Sequence, residues 1–214
     1  MAEFAAVITH QAPACRGSVA LLMALAFAAL APFLSGASAQ TSGPASAAPP
    51  SSQTPALDLV SLDGTRESLA GLRGRPVLVH FFATWCEPCR AEMAGLTRFS
   101  ERQTEAPFAI LAVDVGEPET RIRRFFARAF EGQLPPFPIL IDADRAALKT
   151  WRVASLPASY LLDADHTVRL TVYAPVDWDH PRALAALDDI RAGRPLPADF
   201  TLPNLPDASG STEP

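Results

Sequence analysis
Apolar residues fall into two different patterns along this chain. From Val19 to Leu34 they form an almost unbroken run, with Arg16 just before it and Pro32 near its end. From Leu57 onwards they come in short blocks separated by polar or helix-periodic stretches. Leu57 to Val60 and Thr65 to Leu69 flank Asp63-Gly64 and predict a small hairpin. Val77 to Phe82 predicts a buried strand, and Met93, Leu96 and Phe99 recur at helical spacing within a helix from about Pro88 to Arg102. Phe108 to Val115 predicts a second strand. A helix from about Glu117 to Phe130 carries Ile122, Phe125, Phe126 and Phe130. Pro138 to Ile141 reads as a short strand, Arg145 to Trp151 as a short helix, and Ala158 to Asp163 with Thr167 to Tyr173 as a hairpin. Trp178-Asp179-His180-Pro181 opens a last helix, with Asp179 or His180 at the cap and Pro181 in the first turn. Strands alternating with helices predict one α/β domain around a central mixed sheet.

The long apolar run changes the picture of where that domain resides. It is shorter than a comfortable membrane span of about 20 residues, and Ala37-Ser38-Ala39 after it supplies a small-x-small cleavage pattern. Residues 1–39 are therefore expected to be a signal peptide cleaved after Ala39, or else an uncleaved N-terminal anchor. Both place the domain outside the cytoplasm, in the periplasm or an equivalent compartment. The basic region before the run is weak, since Glu3 opposes Arg16. Residues 40–56, rich in Pro, Ser and Ala, read as a linker, 57–192 as the folded domain, and 193–214 as a proline-rich tail in extended form.

The net charge of −5 over 214 residues argues against nucleic acid or anionic lipid as the main partner. Four scattered histidines do not form a zinc finger, and Asp142, Asp144, Asp163 and Asp165 sit in turns without the spacing of a calcium loop. Of the three cysteines, Cys15 precedes the apolar run, so the folded part is expected to hold one disulfide and no spare thiol.

That disulfide is the candidate chemistry. Trp85-Cys86-Glu87-Pro88-Cys89-Arg90 follows a buried strand and enters a helix. A helix N-terminus presents unpaired N–H groups and the positive end of a dipole, which favour a thiolate, the reacting form of cysteine. A purely structural bridge is the plain alternative, yet one closing so short a loop constrains the unfolded chain little. A redox switch is the better fit. The Glu87-Pro88 pair between the cysteines is expected to tune its poise, with Glu87 disfavouring the thiolate.

The sequence resembles the thioredoxin superfamily and, within it, the TlpA/ResA-like thiol–disulfide reductases. The resemblance covers roughly Leu57 to Ala192. It is carried by the leading hairpin with Gly74-Arg75-Pro76, by Phe82 to Arg90 with Glu92-Met93 just after, by an extra helix between Val115 and Pro138, and by Trp151 to Asp163. It implies a thioredoxin-like fold with an N-terminal β-hairpin and a central inserted helix. By resemblance Cys86 attacks and forms the mixed disulfide, and the more buried Cys89 resolves it. Trp85 shields the disulfide and helps form the partner surface, although ordinary core packing would also explain a tryptophan there. Pro157 carries a cis bond after Leu156, whose backbone pairs with an incoming peptide. Glu92 sits behind the site and could move protons for Cys89. His80 departs from the Asp or Asn of relatives and reads equally as a proton relay or as a core histidine. Ala94-Gly95 departs from a frequent proline.

These readings converge on an exported reductant of protein disulfides that needs no organic cofactor and no metal. Resemblance implies recharging by a membrane thiol transporter; apocytochrome c or copper-site proteins are the expected clients, and a monomer is the expected state. The rivals are a disulfide-donating oxidant, a copper metallochaperone, and a peroxiredoxin-like peroxidase.

Overall fold
The computed structural model describes residues 54–103 and 107–205. The expectations for residues 1–39, for most of the linker and for residues 206–214 lie outside the described residues. The predicted hairpin forms from β1 (Asp58–Val60) and β2 (Arg66–Ser68), paired antiparallel. Asp63 accepts the Thr65 N–H at 2.9 Å, and Gly64 takes the left-handed conformation (φ +87°) that closes the turn. The hairpin docks on the sheet through the Leu62 N–H, which donates to Ile139 O at 2.8 Å.

The main sheet has five strands. In chain order they are β3 (Val77–Phe82), β4 (Ala109–Val115), β5 (Ile139–Asp142), β6 (Ala158–Leu162) and β7 (Val168–Val172). Their spatial order is β5-β4-β3-β6-β7. β3, β4 and β5 run parallel, while β6 is antiparallel to β3, and β7 to β6. The mixed sheet is thus as the sequence predicts. β3 and β4 are buried at every position, which is why both read as continuous apolar runs rather than alternating ones.

Two cores cover the two faces. Leu78 and Phe82 pack with Met93, Leu96 and Phe99 of α1 (Glu87–Arg102), with Ile122 and Phe126 of α2 (Glu119–Ala129), and with Ala183, Leu187 and Ile190 of α4 (Pro181–Arg191). Val77, Val79 and Phe81 point the other way, towards Leu57, Leu69 and the short helix α3 (Ala146–Thr150) with Trp151. Helix α1 runs unbroken through Ala94-Gly95. Of the two cap candidates the sequence offers for α4, His180 takes the position: its Nδ1 accepts the Arg182 N–H at 3.1 Å, with Pro181 in the first turn.

The proline-rich stretch from Gly193, expected as an extended tail along the surface, packs on the domain as far as Leu205. Leu202 is buried, and Leu196 and Phe200 pack against the α1 side. The Asp177 N–H donates to Pro203 O at 3.0 Å and the Leu205 N–H to Pro175 O at 2.9 Å, a short antiparallel pairing centred on Val176 and Asn204. Composition hides this, because each apolar residue there stands alone among prolines. Leu202→Ala is expected to cost about 2–4 kcal/mol. Urea unfolding reads it, and an unchanged midpoint would detach the segment from the cooperative unit.

Candidate active site
The site stands where β3 ends and α1 begins. Cys86 is the helix N-cap, and Glu87 and Pro88 form the first turn, where a missing N–H is harmless. Cys86 and Cys89 are joined as a disulfide, with Cα atoms 5.3 Å apart. The Cys89 N–H donates to Cys86 Sγ at 3.4 Å. A free N–H of the helix end therefore already points at the sulfur that would carry charge after reduction. Cys89 is fully buried, whereas Cys86 retains slight exposure. Of the two sulfur-bearing residues, Cys86 is thus the more accessible.

Trp85 is 59% exposed, so core packing does not explain it. With Cys86, Glu87 and Pro88 it lines a largely apolar groove of about 670 Å³, closed on the far side by Leu156 and Ser155. The Leu156–Pro157 bond is cis, as the resemblance implies, and Pro157 itself is buried behind Leu156. Arg145 also lines this groove. Its guanidinium lies over Gly116, where a Cβ would stand 2.4 Å from Nε, and Gly116 has φ +74°. No other residue satisfies both conditions without displacing Arg145.

Beneath the disulfide, on the α1 face of the sheet, lie three buried titratable side chains. Glu92 is fully buried and its Oε1 accepts Trp178 Nε1–H at 2.6 Å. Burial pushes its carboxyl up to about 8, against the opposing pull of Trp178 and the Val176 main chain. His80 is fully buried beside Ser159, with Nδ1 2.9 Å from Ser159 Oγ. Burial holds it down at about 4, which keeps the imidazole neutral at physiological pH. Asp114 stands opposite Phe82 in the β3–β4 ladder. Burial raises it to about 8, and the neighbouring charge of Glu117 adds to the rise while Arg121 opposes it. Among the described residues, the buried side-chain polar atoms without a hydrogen-bond partner are His80 Nε2, Glu92 Oε2 and both Asp114 oxygens. All four atoms belong to these three side chains, on the strands and helix that flank the cysteine pair.

Sequence reasoning singled out Glu92 and His80 but missed Asp114, Glu117 and Trp178. Glu117 is buried and holds Thr84 twice, accepting its N–H at 2.6 Å and its hydroxyl at 2.8 Å, and it pairs with Arg121 at 2.8 Å. It thereby anchors the loop that leads into Cys86. The available signal for Asp114 was an ionisable residue inside the apolar run of β4. For Trp178 there was none, since a tryptophan before a helix reads as packing.

Asp114→Asn is expected to stabilise the protein at pH 7 by about 1–3 kcal/mol. Between its ordinary value of 3.8 and about 8, native Asp114 holds a proton that the unfolded chain has released. Native stability therefore falls as pH rises through that window, whereas asparagine does not titrate. Urea midpoints at pH 4 and pH 7 check this, and an equal gain at both would refute the titration account.

Among the described residues no group of three or more His, Cys, Asp or Glu side chains is gathered as a metal site. The turn aspartates serve the main chain: Asp142 accepts the Ala147 and Leu148 N–H groups, and Asp163 those of Asp165 and Thr167.

With this geometry in place, the AhpC/TSA family model matches residues 50–171, more than half of the chain. The chain belongs to the AhpC/TSA family. Thiol-disulfide oxidoreductase ResA of Geobacillus thermodenitrificans is 33% identical over 118 residues, 55% of this chain. The match spans 66% of that relative, just under two thirds of its length. The exposed lipoprotein thioredoxin Etrx1 of Streptococcus pneumoniae superposes with a TM-score of 0.54 at 21% identity, covering 63% of this chain and 98% of its own. A putative thiol:disulfide interchange protein DsbE of Chlorobium tepidum gives a TM-score of 0.54 at 22% identity, covering 65% of this chain and 92% of its own. These structures establish the thioredoxin-like fold for this AhpC/TSA member. Its cysteine pair sits at the start of the helix after the central strand, with Trp85 beside it exposed to solvent.

Proposed function
We propose that this protein is an extracytoplasmic thiol–disulfide oxidoreductase that reduces disulfides in other proteins. The observation that carries the reading is the Cys86–Cys89 pair at the α1 N-cap, with the Cys89 N–H on Cys86 Sγ and an apolar groove beside it. In the reduced protein the Cys86 thiolate attacks one sulfur of a client disulfide, forming a mixed disulfide and releasing the other client sulfur as a thiolate. Cys89, having given up its proton, attacks Cys86. The client leaves with its second thiol, and Cys86–Cys89 is oxidised. Two electrons and two protons pass from the protein to the client, carried on the two sulfurs, so no organic cofactor or metal is required. Glu92 is the proton acceptor for Cys89, with His80 as a further relay. Trp85, Glu87, Pro88, Leu156 and Pro157 shape the client groove.

Electrons return through a membrane thiol transporter, since cytosolic reductants do not reach an exported domain. Clients of the kind that fit are apocytochrome c and copper-site proteins, and the domain works as a monomer. Support for an exported site comes from the sequence before Gln40 and from one structural neighbour whose name describes an exposed lipoprotein. Among the described residues no helix is long and apolar enough to cross a membrane.

The deciding experiment is the equilibrium reduction potential of Cys86–Cys89. A value below about −220 mV supports a reductant, and one near about −120 mV makes the protein an oxidant instead. Turnover of hydrogen peroxide without a dithiol client would point to a peroxidase, and tight stoichiometric copper binding by the reduced pair to a metallochaperone.

A further inference from the structure
The outward side of α2 carries Arg121, Arg124 and Arg128. Together with Arg90 they line a second groove, of about 680 Å³, bounded by Thr84 and floored by Phe125. The Arg90 guanidinium lies 5.9 Å from the centre of the Phe125 ring. Four cations in one groove run against a chain whose net charge is −5. Two are compensated, Arg90 by Glu87 at 2.6 Å and Arg121 by Glu117 at 2.8 Å. The nearby Glu119 is taken by Arg123 at 2.7 Å. Arg124 and Arg128 are exposed and have no acidic partner among the described residues. Thr84 and Arg90 bracket the segment Trp85 to Cys89, so the two grooves draw their walls from one continuous segment, the loop after β3 and the first turn of α1.

We propose that the arginine groove docks an acidic stretch of the client polypeptide, next to the disulfide that Cys86 attacks. The inference rests on the reductase reading above and adds a client preference to it. Guanidinium forks bind carboxylates in bidentate fashion, and the Phe125 ring gives their stems an apolar seat. Charges at the rim of a binding surface act chiefly on encounter rate and register, so the preference belongs in the rate of mixed-disulfide formation.

Two synthetic peptides with the same internal disulfide test it, one followed by three glutamates and the other by three glutamines. Each is reduced by the dithiol form of the full chain. The glutamate peptide is expected to react about tenfold faster at about 10 mM salt. The ratio should approach one at about 1 M salt. It should also approach one in Arg124→Gln/Arg128→Gln, yet persist in Arg73→Gln/Arg75→Gln, which removes the same charge before β3, at the strand end away from Cys86. Equal rates in the native chain, or a ratio that survives Arg124→Gln/Arg128→Gln, would overturn the docking surface. If neither peptide is reduced, the reductase reading fails separately. Fluorescence anisotropy of a cysteine-free, labelled three-glutamate peptide then decides the groove: affinity must drop about tenfold in the double variant, and equal binding sinks the proposal.

Discussion

Cys89→Ser is expected to arrest the reaction at its midpoint. The variant keeps the Cys86 thiol, the helix N-terminus that stabilises its thiolate, and the groove. It loses the group that releases the client. Multiple-turnover reduction should fall by about a thousandfold or more, while a covalent adduct between the protein and a disulfide client accumulates. Intact-mass analysis reads the adduct directly. Cys86→Ser should lose turnover to the same extent and form no adduct, because Cys89 is fully buried and out of a client's reach. Adducts of equal yield from the two variants would remove the assignment of roles. The comparison also separates chemistry from folding, since both variants lack the same disulfide.

The second large effect concerns Glu92. Its ordinary value is 4.5, and burial raises it to about 8. Across that interval the native protein holds a proton that the unfolded chain has lost, so native stability falls as pH rises from about 4.5 to about 8. Glu92→Gln keeps the acceptor for Trp178 Nε1–H and removes the ionisation. It is expected to be more stable than the native chain at pH 8 by about 3 kcal/mol, with the two converging near pH 4. The same variant should react more slowly in the resolving step, and its rate should lack the inflection near pH 8 expected of the native protein. A gain in stability with an unchanged pH–rate profile would leave Glu92 as a structural carboxyl and end its role in proton transfer.

The pH behaviour has more than one source. Asp114 titrates in the same range and stands on the same face, so the steepness of the native stability curve reports both carboxyls. His80 contributes in the other direction. Held near 4 in the native state, it must gain a proton on unfolding below its ordinary value of 6.5. That removes stability as pH falls from about 6.5 to about 4. The most stable condition lies where these opposing penalties balance.

Much of this architecture was written in local patterns. β3 and β4 are legible because strands covered on both faces are continuously apolar, and the cysteine motif at the end of β3 fixes which way the helix must start. The inserted helix was legible from its phenylalanines, although its first turn begins at Glu119 rather than near Glu117. Pro118 takes the cap position, and Glu117 is turned inward to hold Thr84. What the sequence concealed are pairings between distant positions. Glu92 and Trp178 meet across 86 residues, and Thr84 and Glu117 across 33. No periodicity encodes such contacts. Trp85 shows the converse difficulty, because a large aromatic residue beside a buried strand suggests packing, while the structure leaves it mostly in water.

The pairing of residues 202–205 with 175–177 bears on how the protein matures. A chain growing from its N-terminus presents both cysteines and Glu92 long before Trp178 and Leu205 exist. The cysteines are three residues apart and need no distant partner to meet. Glu92, by contrast, is roofed by Trp178, on the segment that the last described residues hold in place. An unfinished or clipped molecule ending before Trp178 would thus be reactive before it is tuned, with its carboxyl open to water and titrating like any other. Loss of the C-terminal segment would loosen the cover over the Glu92 carboxyl without touching a cysteine.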